Sequence, residues 1–383
     1  ARRMITTPRL YWFCPGWRRS YRNRPFPGPP YKEVSDPVIR KAVIPVAGFG
    51  TRMLPASKSI PKEMLPVVDR PAIAYVVDEA VRAGITEIIL VSHASKSAVE
   101  NYFDGHPELE AQLEAKGKTG LLEQVRHPLP DGVQVVSVRQ GPPLGLGHAV
   151  HAAHQLVGDE PFVVILPDVL VDAVDDTDDL TAMVRRFEES GAAQIMVEAV
   201  PDDRVDQYGI AELDGPSPAP GASAPMRAVV EKPKPEDAPS NLSVVGRYVL
   251  PAGIMGLLAD TAPGAGGEIQ LTDAIADLIA RQPVEAYAMR GRTFDCGSKA
   301  GYLQAILHYA AKDPALAEVL AGAGLVGAGP AREREQSDRQ DPRAPSKYAS
   351  SGASGIPPAG EAGLSRAGPA PTKPAPSGDG SRD

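Results

Sequence analysis

Cysteine is almost missing from this 383-residue chain. Cys14 and Cys296 stand far apart and outside any metal-ligand spacing. That excludes a disulfide scaffold and fits a reducing compartment. Long apolar runs are missing too, and none approaches the length needed to cross a bilayer. The apolar run Leu10-Tyr11-Trp12-Phe13-Cys14 stops at Pro15, too short for the hydrophobic region of a signal peptide. A cytoplasmic protein with no membrane partner is expected. Net positive charge is also lacking: the chain carries −8. Its first forty residues hold nine Lys or Arg against two acids, so the stretch 41–326 is more acidic than the total suggests. An acidic body argues against non-specific nucleic-acid binding, which rests on phosphate neutralisation. A negatively charged substrate would then need a local cationic pocket or a metal ion.

Proline and glycine are plentiful, at 40 and 37, and they concentrate at the ends. Residues 1–40 are rich in Arg, Pro and aromatics, without helical or strand period. They read as a disordered, solvated extension or as translated sequence upstream of the true start, with a nucleic-acid-binding arm as the alternative. Residues 327–383 are low-complexity Pro/Ala/Gly/Ser and cannot bury enough apolar surface to offset ordering entropy. They are expected to be a disordered tail. One catalytic domain is expected over 41–326.

Within that domain, apolar strands alternate with amphipathic helices. Val43–Val46, Ile88–Val91, 133–138, Phe162–Leu166, 193–199, 226–231 and 243–250 read as strands. Residues 71–84 read as a helix with Ile73, Val76, Val77, Ala80 and Val81 on one face and an Asp78–Arg82 pair on the other. Helices are also expected over about 95–126, 147–157, 269–281, 298–311 and 313–322. This alternation implies an α/β fold, a Rossmann-like, mostly parallel central sheet flanked by helices. Ligands in such sheets sit at the carboxyl ends of strands.

The chemistry gathers there. The first strand runs into Gly48, Gly50, Thr51 and Arg52, and Lys62 follows ten residues later. Glycines let backbone N–H groups approach phosphate oxygens, and Arg and Lys supply fixed positive charge. A dinucleotide fingerprint would need a third glycine where Met53 stands, and Pro55 and Pro61 prevent a following helix. Walker A spacing is absent too. Taken alone, the loop could also be a surface turn with solvated cations. Asp168 follows an apolar strand and Pro167, at a position suited to Mg²⁺ or to a plain turn. Asp295, in Phe294-Asp295-Cys296-Gly297, is a possible second ligand. Gln140 opens a second glycine loop that runs to Gly145 and Gly147, and its amide can both donate and accept toward a pyrimidine. Glu231-Lys232 ends a strand and could hold sugar hydroxyls and a phosphate, or form a surface ion pair. His148, His151 and His154 share a helical face, but no Cys or carboxylate joins them to make a metal site.

Together the stretches resemble the bacterial UTP–glucose-1-phosphate uridylyltransferase family. KAVIPVAGFGTRMLP with PKEMLPVVDRP resembles that family's opening. RQG…GLGHAV, VILPDV, QIMVE, VVEKPKPEDAPSNLSVVGRYVL, GGEIQLTDAI and DCGSKAGYLQA follow in its order. The resemblance covers Lys41 to the mid-310s. Pro142-Pro143-Leu144 departs from members that carry a Lys in this loop, so no ligand is assigned there.

The resemblance implies transfer of a uridylyl group from UTP to glucose 1-phosphate, with Mg²⁺ as cofactor, by a homo-oligomer (dimer or tetramer). It implies that Ala47, Gly48, Gly50 and Thr51 wrap the UTP phosphates and that Glu63 lies by the nucleotide. Gln140 and Gly145 would read uracil. Arg52 and Lys62 would stabilise the departing pyrophosphate. Asp168, with Asp295, would hold the metal, and Gly209, Glu231 and Lys232 would hold glucose 1-phosphate. A thymidylyltransferase and a catalytically silent regulatory paralogue are the competing readings.

Overall fold

A computed structural model describes residues 39–174 and 178–325. The expectations for both terminal extensions therefore lie outside the described residues, apart from Ile39 and Arg40. Ile39 is already fully buried.

Thirteen strands are described. They are β1 (Lys41–Pro45), β2 (Pro66–Val67), β3 (Arg70–Pro71), β4 (Glu87–Ser92), β5 (Gln134–Arg139), β6 (Phe162–Ile165) and β7 (Val169–Asp172). The chain continues with β8 (Ala193–Ala199), β9 (Gly209–Leu213), β10 (Ser223–Glu231), β11 (Leu242–Leu250), β12 (Val284–Ala288) and β13 (Arg292–Asp295). Among the described residues, nine of these form one sheet in the order β5-β4-β1-β6-β11-β8-β12-β10-β9. The half running from β5 through β4 and β1 to β6 is parallel. β11 then enters antiparallel to both β6 and β8. The sheet is thus α/β in class and mixed in detail.

Strands buried on both faces need helices on both sides. On one face the helices Ala72–Arg82, Asp179–Ser190 and Lys299–Lys312 pack Ile73, Val76, Leu180, Met183 and Ala305 against Ile44, Ile88 and Val163. On the other face Leu146–Ala152, Ile254–Asp260 and Leu271–Ile279 pack Val150, Leu258, Leu271 and Ile275 against Val43, Ile89 and Val164. The alternation of Val43 and Ile44 between the two faces is the strand period of two at work.

Two local expectations are corrected. Asp78 does not pair with Arg82: it takes Arg70 at 2.8 Å, while Arg82 reaches Asp178 at 3.0 Å. The region 95–126 is not one helix. Gly105-His106-Pro107 and Gly117 divide it into the helices Ser97–Asn101, Pro107–Ala115 and Thr119–Arg126. Proline is tolerated at a helix's first position and breaks the run before it.

Among the described residues, no helix is long and apolar enough to cross a membrane.

Candidate active site

Three loops leave the carboxyl ends of parallel strands side by side. After β1 comes the glycine loop, after β5 comes Gln140, and after β6 comes Asp168. They line one cleft of about 310 Å³ with Ala47, Gly48, Lys62, Glu63 and Gly145. The strand order alone brings residues from three distant stretches of sequence to one mouth.

At the glycine-loop end of the cleft, short 3₁₀ turns replace a helix after the glycines, as the prolines require. Gly50 takes φ 64°, the left-handed conformation that costs glycine least. A side chain there would also press on Lys62, whose Cβ lies 3.2 Å from where its Cβ would be. Lys62 donates to Asp168 Oδ2 at 2.7 Å, with both side chains largely buried. Arg52 lies over the same oxygen at 3.6 Å and over Asp295 Oδ2 at 3.3 Å. The solvated-turn reading of the loop therefore fails for Lys62, while Arg52 is well exposed. Burial pushes the Asp168 carboxyl up, but Lys62 and then Arg52 outweigh it and hold the group below the usual range.

Asp295 joins this cluster through a ribbon. β13 pairs antiparallel with β7, and Asp295 sits opposite Val169, next to Asp168. The main-chain N–H of Gly297 donates to Asp295 Oδ1 at 3.0 Å, so the carboxylate is oriented by its own turn.

At the other end of the cleft, Gln140 is buried. Its amide donates to the carbonyl of Gly145 at 3.3 Å and lies 2.9 Å from His148 Nδ1. Gly145 takes φ 112° and presses on another loop: a Cβ there would stand 2.6 Å from the Ile269 carbonyl oxygen. That contact is sealed by hydrogen bonds from Gly147 N to Ile269 O, 2.8 Å, and from Ile269 N to Leu144 O, 2.7 Å. Glu63 is buried and paired with Lys96 at 2.8 Å through Oε2, whereas its Oε1 has no partner. Burial raises the Glu63 carboxyl above its ordinary value, and Lys96 only partly offsets this.

A third cluster forms where β9 and β10 pair. Gly209 stands opposite Glu231. Glu231 accepts from Thr272 Oγ1 at 3.0 Å and pairs with Lys232 at 2.9 Å. Lys232 is held at φ 47°, a conformation that a lysine rarely adopts outside constrained sites. Burial, then the charge of Glu231 and more weakly that of Asp168, raises the Tyr248 hydroxyl. Both carboxylates therefore bear on one ring. The three histidines form no metal site: His148 turns to Gln140, and His151 stacks on His154 with centroids 5.2 Å apart.

A sequence profile of the nucleotidyl transferase family matches residues 41–312. The chain belongs to the nucleotidyl transferase family. It is 58% identical over 274 residues to the UTP–glucose-1-phosphate uridylyltransferase of Escherichia coli K12, covering 71% of this chain and 90% of that protein. To the enzyme of the same name from Haemophilus influenzae it is 56% identical over 272 residues, covering 70% and 92%. A solved structure described as UTP-bound UGPase from Acinetobacter baumannii superposes with TM-score 0.71 at 58% identity, covering 75% of this chain and 99% of that one.

Within this nucleotidyl transferase, sequence reasoning left some residues unassigned. Lys96, Glu268 and Thr272 each touch or line the clusters above, and Tyr248 lies within range of the charges of Glu231 and Asp168. Glu268 and Thr272 fall inside the quoted GGEIQLTDAI stretch, which was a usable signal. Lys96 and Tyr248 had none, because their roles come from packing.

Proposed function

We propose that this chain transfers the uridylyl group of UTP to α-D-glucose 1-phosphate, giving UDP-glucose and pyrophosphate, and that residues 41–326 are its catalytic domain. One observation carries the reading: Lys62 and Arg52 converge on Asp168 at the mouth of the cleft that Gln140 and Gly145 close at its other end. The names of the relatives above point the same way.

In this reading the main chain at Ala47, Gly48, Gly50 and Thr51 wraps the triphosphate, and Gln140 and Gly145 read uracil. Glu63, in the wall of the cleft, lies by the nucleotide. Gly209, Glu231 and Lys232 hold glucose 1-phosphate. A phosphate oxygen of the sugar phosphate attacks the α-phosphorus in line. The bond from that phosphorus to the bridging oxygen breaks, and pyrophosphate leaves with the electron pair. The attacking oxygen is already anionic near neutral pH, so no general base is required. The chain's work is to align the two substrates and to neutralise charge through Arg52 and Lys62 as it moves to the leaving group.

The donor set suits a divalent metal, here assigned as Mg²⁺. Asp168 and Asp295 are two hard oxygen donors that touch one guanidinium. Magnesium takes one or two carboxylates and completes its shell with substrate oxygens and water. When bound, it supplies charge neutralisation between the two polyanionic substrates. A cytoplasmic homo-oligomer, dimer or tetramer, completes the proposal, and light scattering of the purified protein tests the assembly.

Pyrophosphate release from glucose 1-phosphate tests the reaction, with UTP or dTTP and with or without Mg²⁺. Rapid, metal-dependent release with UTP is expected. Faster release with dTTP would make the enzyme a thymidylyltransferase, and no release with either would favour a silent paralogue.

A further inference from the structure

Arg247 is fully buried, on β11, in the middle of the core. Its guanidinium is forked onto Glu79 of the helix Ala72–Arg82, Nε to Oε1 at 2.9 Å and Nη2 to Oε2 at 2.7 Å. The remaining donors go elsewhere. Nη1 donates to the carbonyl of Leu166 at 3.1 Å, and Nη2 also donates to the carbonyl of Val169 at 2.7 Å. Those two carbonyls bracket Pro167 and Asp168. The neighbouring main chain grips the same turn, since Leu166 N donates to the Gly246 carbonyl at 2.9 Å. The β11–β8 register shifts between Val244 and Tyr248, and this irregularity surrounds Arg247.

A buried ion pair is a poor way to gain stability. An apolar pair of similar volume is often as stable or more so. Such a pair could not donate to two carbonyls at once, whereas a planar guanidinium with five donors can. We propose that Arg247 is a positioning residue, held in orientation by Glu79, that fixes the Leu166–Val169 turn and so sets where the Asp168 carboxylate stands. The inference rests on the role assigned to Asp168 above. Arg247 itself touches neither substrate nor metal. It acts through the two carbonyls, and through Val169 on the start of the ribbon that carries Asp295.

The test uses two variants of the full chain. Arg247→Lys keeps the charge and loses the fork. Glu79→Leu/Arg247→Met removes the pair without leaving a buried charge unpaired, so loss of fold is separated from loss of position. Each is checked for folding by circular dichroism and thermal unfolding. Mn²⁺ affinity is then read by electron paramagnetic resonance, and kcat and KM by pyrophosphate release. Groups that orient metal ligands typically change affinity or activity by about 10–100-fold when lost. We expect kcat to fall and the Mn²⁺ Kd to rise within that range, while KM for glucose 1-phosphate stays within about threefold of the parent. Folded variants with kcat and Mn²⁺ Kd both within about twofold of the parent would overturn the inference. Asp168→Ala separates the two ideas. If it leaves turnover intact, the role of Asp168 falls. If it abolishes most turnover, Arg247→Lys placed on top of it should cost little more, because both act through one group. Full additivity of the two losses would place Arg247 outside this path.

Discussion

The two ends of the cleft are built on different principles. At the end proposed for the phosphates, charged side chains meet each other: Lys62 and Arg52 on Asp168, and Arg52 again on Asp295. At the end proposed for the base, main chain meets main chain, with Gly145 and Gly147 pressed on Ile269 and with Gln140, Glu63 and Glu268 lining the cleft. The first end is generic, since any triphosphate carries the charge it needs. The second is a shape, and shape is what distinguishes one base from another. A long flexible cation tolerates small errors in backbone position, whereas two main chains in contact do not.

The largest effect should come from breaking the phosphate end. Asp168→Ala and Lys62→Ala should each lower kcat by about 10²–10³, with the fold intact by circular dichroism. Near-parental turnover in both would remove this cluster from catalysis. Next comes the backbone contact. Gly145→Ala places a Cβ 2.6 Å from the Ile269 carbonyl oxygen. Overpacking of this kind should cost about 1–3 kcal/mol of stability and raise KM for UTP. Unchanged melting and unchanged KM would mean that the two loops separate freely. Gln140→Ala should act more narrowly. The preference for UTP over other nucleotides should drop by about 10-fold, the worth of one or two hydrogen bonds, and KM for glucose 1-phosphate should hold. Base selectivity equal to the parent's would take Gln140 out of base reading.

The smallest effect is a slope. Asp168 is held below its ordinary value chiefly because Lys62 outweighs burial. A carboxyl depressed by folding stabilises the native state above its unfolded pKa, and that contribution is lost as pH falls through the lowered value. Lys62→Met should therefore lose less stability than the parent on acidification below the ordinary aspartate range. Urea unfolding across a pH series measures this, and parallel slopes would place the acid sensitivity elsewhere.

This contrast also decides how much could be read from the chain. At the charged end, Arg52, Lys62 and Asp168 could be picked out as candidates because they are charged residues in loops that follow strands with clear apolar runs, although each also had a plain turn or solvated reading, and Asp295 sits on a strand the sequence did not announce. The α/β class followed from those same runs. At the other end, Gln140 and Gly145 could be named from the sequence, but not what holds them. Nothing local marks Gly145 as a contact for Ile269, more than a hundred residues away, because a glycine's neighbours are set by tertiary packing. The strands β2, β3, β7, β9, β12 and β13 escaped notice for a related reason: they are short, at two to five residues, and small, polar or proline residues interrupt the apolar pattern of all but β7. The Asp78–Arg82 spacing suited a helical pair, yet Arg70 and Asp178, brought near by the fold, competed better.

The four-rung ribbon of β7 and β13 has one more consequence. Asp295 faces Val169 because Arg292 faces Asp172, and a slip of one rung would turn the acid to the opposite side. The spacing of the two acids is thus set by the ribbon's register and by the turn that Arg247 grips, not by the length of the exposed turns that join them. Lengthening an exposed turn such as the one between β9 and β10 is therefore expected to leave that spacing unchanged. A single proline at Leu170 or Phe294, in contrast, would undo it.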